Sequence, residues 1–221
     1  MSQEETVFQY IKKAIIENRL QPGTRLREQK LAEIFGVKRG LIRKVLTSLI
    51  NLKLVEHQQN IGAQVAIPSL KDGQDLFATR QILEQAVMSN LCQHITDPQI
   101  EYLQQCLTEE QQAYQQGNHK LGLKLSINFH KKLAKLTGNN VIEEFLNEII
   151  NRTPLVILSQ LGADPPNSCV NHEHIDIVNA LARRDNETAV RLMFEHLSHL
   201  ENMFSIKPEQ TTIDLAEVFN Q

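Results

Sequence analysis

The chain has 221 residues, of which 41% are hydrophobic and 22% are charged, which is ordinary for a globular protein with one large or two smaller domains. This composition excludes collagen-like and wholly disordered chains. No stretch approaches the roughly 20 apolar residues that span a bilayer, and the acidic start does not resemble a signal peptide. Cys92, Cys106 and Cys169 are scattered without a CxxC pair, so we expect no disulfide framework, no cysteine zinc site and a cytoplasmic location.

The charge is divided unevenly along the chain. Residues 1–70 contain 11 Lys and Arg against 6 Asp and Glu, a balance of +5. Residues 71–221 contain 12 against 20, a balance of −8, and the two balances add to the net charge of −3. A basic part followed by an acidic part suggests that the basic part meets a polyanion such as nucleic acid.

The first third of the chain predicts three helices and a β-hairpin. Apolar residues recur at helical spacing in three segments, residues 4–20, 28–35 and 38–52. Pro22-Gly23 and Gly36 separate these segments. Two short β-prone runs, residues 54–56 and 64–67, flank a polar loop and therefore predict the hairpin.

From residue 70 onward the periodicity is helical, with breaks rich in Gly, Asn and Pro. The predicted helices cover residues 71–94, 98–116, 119–137, 140–161, 168–184 and 187–204. Short connections between six helices favour an antiparallel bundle. We expect a weak apolar cluster near the C-terminus to dock on this bundle or on a partner.

The predicted fold is therefore mainly α, with a winged helix-turn-helix followed by an all-helical bundle. The predicted boundaries place the DNA-binding domain at residues 1–68, a linker at 69–76, the helical domain at 77–205 and a tail at 206–221.

The second and third predicted helices have the pattern of a helix-turn-helix. Ala32 is small where two helices would cross, Gly36 tolerates a positive φ in the turn, and Ile42 can lock the crossing. Near the start of the third helix, where such motifs enter a major groove, four cations face outward: Lys38, Arg39, Arg43 and Lys44. The alternative is a solvated charged face, but the spacing, the basic start and the hairpin together favour DNA binding.

The same segment resembles the winged helix of GntR-family transcription regulators. The resemblance covers nearly all of residues 7–67 and is carried by Pro22 to Leu26, Leu31 to Arg39, Arg43 to Leu46, Leu54-Val55 and Gly62. It implies operator contacts at Gln29, Lys38, Arg39, Gly40, Leu41, Arg43, Asn60 and Gly62. The family usually has Ser or Thr at the position of Lys38 and Thr at that of Gly40, so the resemblance does not define the operator sequence.

Three of the eight histidines, His130, His174 and His196, fall on the apolar faces of different predicted helices. Three buried neutral imidazoles that converge in one bundle suit a divalent metal such as Zn²⁺. Each histidine taken singly could instead be a hydrogen-bonded core residue.

These histidines lie in segments that resemble the FCD ligand-binding domain of the FadR subgroup. The resemblance covers roughly residues 75–204 and is carried by Phe129 to Ala134, Glu173 to Asp185 and Glu195 to Leu197. It implies a metal site on the three histidines, with Zn²⁺ expected and Ni²⁺ or Mn²⁺ as alternatives. The family usually has an Asp one turn before the first histidine, where this chain has Ser126.

In that family the metal anchors a small carboxylate effector, and Arg80 resembles the arginine of the domain's first helix. A guanidinium can hold a carboxylate through two hydrogen bonds. The alternative for Arg80 is a surface ion pair with Glu84, four residues along the helix.

We therefore predict a DNA-binding transcription regulator, not an enzyme, whose operator affinity depends on a small carboxylate at a metal site. One short recognition helix reads few base pairs, so we expect a homodimer on a symmetric operator. Two alternatives stay open: a sensor of the metal itself, and a metal-dependent hydrolase with a DNA-binding module. Against the hydrolase, Glu173 and Glu195 adjoin the histidines in sequence and should point away from them.

Overall fold

The computed structural model describes residues 1–161, 170–204 and 215–219. The chain forms two compact units. The first consists of Met1–Ser69 together with Pro154–Ala163 and Lys207–Gln221, and the second consists of Leu70–Thr153 together with Asp164–Ile206. Two later segments of the chain therefore join the N-terminal unit.

The N-terminal unit contains the predicted winged helix-turn-helix. Its elements are α1 (Gln3–Ile16), α2 (Glu28–Phe35), α3 (Arg39–Asn51), β1 (Val55–Gln58) and β2 (Gly62–Val65). The two strands pair antiparallel with Val55 opposite Val65, and Arg25 adds one isolated bridge to Gln64. Apolar side chains from all three helices and the hairpin form one core.

The first helix is shorter than its hydrophobic pattern predicts. It ends at Ile16 rather than at residue 20, because Asn18 adopts a left-handed φ of 55°. The backbone amides of Arg19 and Leu20 then both bond to the carbonyl of Ala14, at 2.8 and 3.0 Å. This turn ends the helix and still buries Leu20 in the core.

The described part of the tail, α10 (Leu215–Phe219), packs in the N-terminal unit, whereas we expected it on the helical bundle or on a partner. Leu215 is buried in the core of this unit, and the ring of Phe219 lies 5.0 Å from that of Phe35. Arg19 donates a hydrogen bond to the carbonyl of Val218 at 2.9 Å. The pattern of the tail predicted its apolar face but not the surface that the face covers.

All the regular secondary structure in the described residues of the second unit is helical. The helices that follow the hairpin are α4 (Leu70–His94), α5 (Asp97–Gln115), α6 (His119–Leu136), α7 (Asn140–Leu161), α8 (Val170–Ala182) and α9 (Asn186–Asn202). Within this unit α4 packs along α9, α5 packs on α6 and α8, and α8 packs on α9. The predicted fold class is confirmed, whereas the predicted start of the fifth bundle helix at residue 168 lies outside the described residues.

The segment predicted as a linker, residues 69–76, is helical from Leu70 onward. Asp72 stands in the first turn of α4, where a negative charge is favourable, and Leu76 and Phe77 are buried. Among the described helices, none combines the length and the hydropathy that a bilayer-spanning segment needs.

A glycine allows α5 and α6 to approach closely. A Cβ at the buried Gly122 would lie 2.6 Å from ring atoms of Tyr114. Real Cβ contacts are not this short, so any side chain at position 122 would displace the tyrosine ring.

We predict that Gly122→Ala destabilises the protein by about 1–2 kcal/mol. Overpacking costs about 1–3 kcal/mol, and the gain in helix propensity offsets only about 0.5–1 kcal/mol. Urea denaturation followed by circular dichroism measures the change. Gly40→Ala is the matched control, because a Cβ at that helical position has no atom within 4 Å and should be neutral or stabilising. Equal stabilities for the two variants would contradict the prediction.

Candidate functional site

Ala32, Gly36 and Ile42 take the positions in the helix-turn-helix that the sequence pattern predicted. Gly36 ends α2 with a φ of 61°, and its amide bonds back to the carbonyl of Glu33. Ala32 and Ile42 are both buried where α2 and α3 pack. The turn therefore fixes the direction of α3 relative to α2.

The start of α3 presents its cations to solvent. Lys38 is the N-cap residue, and the side chains of Arg39 and Arg43 are 57% and 67% exposed. Gly40 is exposed on the first turn of the helix, whereas Leu41 is half-buried against the core. Side chains in this position can reach base edges and phosphates when the helix enters a groove.

The other predicted DNA-contacting residues lie on α2 and in the hairpin loop. Gln29 is exposed on α2 and donates a hydrogen bond to Glu33 at 2.8 Å. Asn60 is exposed with a left-handed φ of 66°, and Gly62 has a φ of 89° at the start of β2. Both residues shape the turn of the β1–β2 hairpin, which is the wing of the winged helix. Their role in contacting DNA stays a prediction.

An acidic residue that the sequence analysis missed holds the two arginines of α3. Glu28, in the first turn of α2, accepts two hydrogen bonds from Arg43, both at 3.0 Å, and one from Arg39 at 3.3 Å. The hydrogen bond from Arg43 is the largest cause that lowers the pKa of Glu28. The carboxylate therefore aligns both guanidinium groups and competes with any phosphate for them.

In the second unit, the three-histidine cluster consists of His130 on α6, His174 on α8 and His196 on α9. The Nε2 atom of His196 lies 3.2 Å from that of His174 and 3.3 Å from that of His130. All three rings are at most 3% exposed. One ligand atom from each ring falls within 4.8 Å of the others, which is an arrangement that could hold a metal ion.

Each ring of the cluster contacts its own carboxylate on the opposite side, through Nδ1. The pairs are Glu84 with His130 at 2.5 Å, Glu110 with His174 at 3.1 Å and Glu173 with His196 at 2.8 Å. A carboxylate partner keeps the proton on Nδ1, so we assign the tautomer in which the Nε2 lone pair faces the centre of the cluster. Three lone pairs directed at one point repel each other unless a cation lies between them.

The pKa values of two histidines favour the neutral form that a metal needs. Burial is the largest cause that lowers the pKa of His130 to about 4, although Glu84 acts against it. Burial also holds the pKa of His196 well below its usual range, and the nearby histidines add to this effect.

Arg80 lies within the helical unit and does not form the surface ion pair that was its alternative interpretation. It bonds to Glu84 at 2.7 Å, and both side chains are only 2% exposed. Burial acts to raise the pKa of Glu84, but the charge of Arg80 and the contacts of His130 outweigh it and lower that pKa to about 2. Thr153 accepts a long bond of 3.4 Å from Nη1 of the arginine.

One nitrogen of this buried guanidinium, Nη2 of Arg80, has no hydrogen-bond partner in the described part of the chain. Buried polar groups are satisfied in most proteins, so an orphaned donor suggests a missing acceptor. The charge of Arg80 lowers the pKa of both His130 and His196, which means that it acts on the cluster itself. A guanidinium placed in this way can bind an anionic partner such as a carboxylate.

Ser126 and two further histidines lie outside the centre of the cluster. Ser126 is buried on α6, one turn before His130, where it offers a hydroxyl and no charge. His199 is 39% exposed and reaches the cluster only through Glu173, which contacts it at 2.7 Å. His172 is exposed at the start of α8.

Sequence reasoning found the three rings but missed the carboxylates that orient them. Glu173 was expected to point away, yet it bridges His196 and His199. The i+4 spacing of Arg80 and Glu84 was visible, but Glu110 lies on α5, and nothing in the spacing of the chain connects it with α8.

Two sequence families match this chain. The FCD domain matches residues 75–199, which is more than half of the chain, and the gntR family of bacterial regulatory proteins matches residues 3–65.

Several regulators are similar over most of their length. The transcriptional repressor RspR of Escherichia coli is 23% identical over 208 residues, covering 94% of this chain and 91% of its own. The transcriptional regulator LutR of Bacillus subtilis is 28% identical, covering 84% of this chain and 94% of its own. A crystal structure of a GntR transcriptional regulator from Rhodococcus sp. RHA1 superposes with a TM-score of 0.82 at 26% identity, covering 92% of this chain and 98% of the other.

We predict that Glu28→Gln binds random-sequence duplex DNA about 2–5-fold more tightly at low salt. The change removes a negative charge and releases Arg39 and Arg43 to pair with phosphates. Fluorescence anisotropy over a range of salt concentrations measures the affinity. Glu33→Gln is the matched control, since that carboxylate accepts from Gln29 on the same helix. The same affinity in both variants would show that Glu28 does not restrain the arginines.

We also predict that Glu84→Gln lowers the free energy of unfolding by about 3–5 kcal/mol. It leaves the buried Arg80 without its counter-charge and replaces the charged partner of His130 with a neutral amide. Glu195→Gln is the control, because Arg191 and Glu195 form an ion pair of the same spacing that is more than half exposed, and it should cost less than about 1 kcal/mol. Chemical denaturation compares the two. A cost for Glu84→Gln as small as that of the exposed pair would refute the argument.

Proposed function

Because the chain belongs to the GntR family of DNA-binding transcription regulators that carry an FCD domain, we propose that a metal-bound carboxylate controls its affinity for operator DNA. Like its relatives, the protein is a transcription regulator and not an enzyme. The three-histidine cluster would hold the metal, and Arg80 would hold the effector. The single observation that supports this proposal is the convergence of three buried Nε2 atoms, each backed by a carboxylate.

The spacing of the cluster suits zinc. At a Zn–N distance of about 2.0–2.1 Å and tetrahedral angles, two ligand nitrogens lie about 3.3–3.4 Å apart. Two of the three nitrogen separations, the Nε2 distances of 3.2 and 3.3 Å, agree with this geometry, and all three ligand atoms lie within 4.8 Å of one another. Neutral imidazoles also suit Ni²⁺, and the Irving–Williams order allows other ions, so zinc is the first candidate rather than the only one.

The donor set leaves room for a further ligand. Three histidines occupy three positions around a tetrahedral ion, and Ser126 adds a hydroxyl rather than the carboxylate usual at that place. When bound, the metal would supply a Lewis-acidic cation with an open position. A small carboxylate could take this position and accept from the orphaned Nη2 of Arg80, which explains why a buried guanidinium keeps one donor free.

On the DNA side, we propose that the outward cations of α3 read the operator. Lys38 and Arg39 stand at the N-terminal start of α3, which is the part of the helix that enters the major groove in this motif. Arg43 follows one turn later. We propose a homodimer, because symmetric half-sites double the contact surface of one short recognition helix. A protein that regulates bacterial operators in this way would act in the cytoplasm.

Continuity of the chain supplies a route for control. α4 begins at Leu70, directly after Ser69 of the N-terminal unit, and the same helix carries Arg80 and Glu84. A ligand that prefers one position of α4 would also favour one arrangement of the DNA-binding units, and its differential affinity sets the size of the effect.

The experiment starts with operator selection, because the operator sequence is not known. Binding sites would be selected from random duplexes with the full-length protein, and operator affinity would then be measured at fixed salt. The measurement would be repeated for apo protein, for Zn²⁺-loaded protein and for Zn²⁺-loaded protein with each member of a series of small carboxylic acids. Affinity that changes only when a carboxylate is added to the metal-loaded protein supports the proposal.

Two other results would count against acid sensing. A change caused by Zn²⁺ alone, with no further effect of any acid, would make the metal itself the signal. Unchanged affinity in every condition would reject control through this site altogether. Elemental analysis of the purified protein distinguishes a resident metal from one that binds only when added.

We predict that His196→Ala lowers Zn²⁺ affinity at least about 100-fold, because it removes one of three ligands. His94→Ala is the control, since that exposed histidine at the end of α4 should have no effect. Ser126→Asp should raise Zn²⁺ affinity, because a carboxylate is a charged ligand. Competition with a chromophoric chelator measures all three. Equal affinities in His196→Ala and His94→Ala would exclude the cluster as the zinc site.

A further inference from the structure

The helix α7 contributes to both units. Its first part, up to Thr153, belongs to the helical unit, and its second part, from Pro154 onward, belongs to the N-terminal unit. Leu155 is fully buried in the same hydrophobic core as the helices of the helix-turn-helix. The DNA-binding unit therefore contains a segment that lies within the residues matched by the FCD domain.

The change from one unit to the other falls at a proline inside the helix. Pro154 has no amide hydrogen, so the carbonyl of Ile150, one turn earlier, has no backbone donor at the usual place. A helix bends most readily at such a point, because a hydrogen bond is missing and the ring crowds the preceding turn. Residues 153–158 are all buried, so this point is held by the side chains around it.

In the helical unit, the residue before this proline contacts the proposed effector anchor. The hydroxyl of Thr153 accepts from Nη1 of Arg80 at 3.4 Å, and Thr153 is only 1% exposed. Nη2 of the same guanidinium is the donor that lacks a partner among the described residues. Because a guanidinium is rigid and planar, a ligand that moves Nη2 also moves the nitrogen that is bonded to α7.

In the N-terminal unit, the second part of α7 is tied to the segment that leads into α4. Nε2 of Gln160 donates to the carbonyl of Pro68 at 3.0 Å. Pro68 lies two residues before Leu70, where α4 begins. Side chains therefore link α7 to α4 at Arg80 and to the residues just before α4 at Pro68.

We infer that α7 couples the surroundings of Arg80 to the DNA-binding unit, with Thr153 as the positioning residue and Pro154 as the point where the helix yields. The inference rests on the proposed function in one respect, which is that the ligand binds at Arg80. A shift of Arg80 is passed to Thr153 through their hydrogen bond, and along the helix to Leu155 in the DNA-binding core. Packed cores have discrete arrangements, so a small shift at this point favours one of them.

The first test needs no ligand. Amide hydrogen exchange of the full-length protein, followed by mass spectrometry of peptides, compares the wild type with Thr153→Val and Thr153→Ser. Valine keeps the shape of threonine but has no hydroxyl, whereas serine keeps the hydroxyl. We expect Thr153→Val to speed exchange at least about threefold in peptides of the N-terminal unit, including α7 after Pro154, and Thr153→Ser to stay near the wild type.

Thr108→Val is the matched control for this substitution. Thr108 is exposed on α5, and its hydroxyl bonds to the carbonyl of Gln104 on the same helix. This variant should leave exchange in the N-terminal unit unchanged. Gln160→Met removes the bond to Pro68 and carries the same expectation as Thr153→Val, so it serves if Thr153→Val folds poorly.

The second test measures how much of the ligand's effect reaches the DNA. Operator affinity of the Zn²⁺-loaded protein is measured without acid and with saturating acetate, succinate or citrate, which serve as mono-, di- and tricarboxylate probes. Saturation ensures that weaker binding of the acid is not mistaken for weaker coupling. We expect Thr153→Val to reduce the ratio of the two operator affinities at least about threefold, and Thr108→Val to preserve it.

The outcomes separate this inference from the proposed function. If no acid changes the operator affinity of the wild type, the proposed function fails and the exchange comparison alone decides whether α7 couples the units. If the wild type and Thr153→Val respond equally to the acid, the proposed function stands and α7 is rejected as the route. Equal exchange in Thr153→Val and Thr108→Val would reject it as well.

Discussion

Hydrogen bonds between carboxylates and imidazole Nδ1 atoms are the interactions on which the helical unit's site depends. An imidazole without such a partner could turn or change tautomer, and its Nε2 lone pair would lose its direction. Here three carboxylates from α4, α5 and α8 hold rings on α6, α8 and α9. The cluster is therefore a property of five packed helices, and it forms only when the unit is folded.

The same network explains how strong charges are tolerated in this interior. Arg80 and Glu84 are both buried, and each would be costly alone. Glu84 bonds to Nε of the arginine with one oxygen and to His130 with the other, so one carboxylate links the guanidinium to the cluster. The free Nη2 is the one donor of this network that lacks an acceptor among the described residues, and it gives the proposed effector a polar anchor inside the bundle.

The N-terminal unit solves a different electrostatic problem, because its cations must stay in solvent. Arg39 and Arg43 are exposed, and Glu28 keeps them aligned without burying them. A surface pair of this kind contributes little to stability, so its consequence lies in how readily the arginines exchange a carboxylate for phosphates. The C-terminal helix α10 packs on the same unit, which makes the end of the chain part of its core.

The sequence by itself determined the fold class, the order of the helices, the helix-turn-helix and the candidate histidines. These features depend on local spacing, since Gly36 can end α2 and the 3.6-residue period places His130, His174 and His196 on apolar faces. Only the tertiary structure decided the partners of those residues: Glu110 for His174, Glu28 for Arg43, and the N-terminal unit for Leu215. Local periodicity predicts which face of a helix is buried. The side chain that contacts that face comes from a distant part of the chain, and its identity depends on how the helices pack.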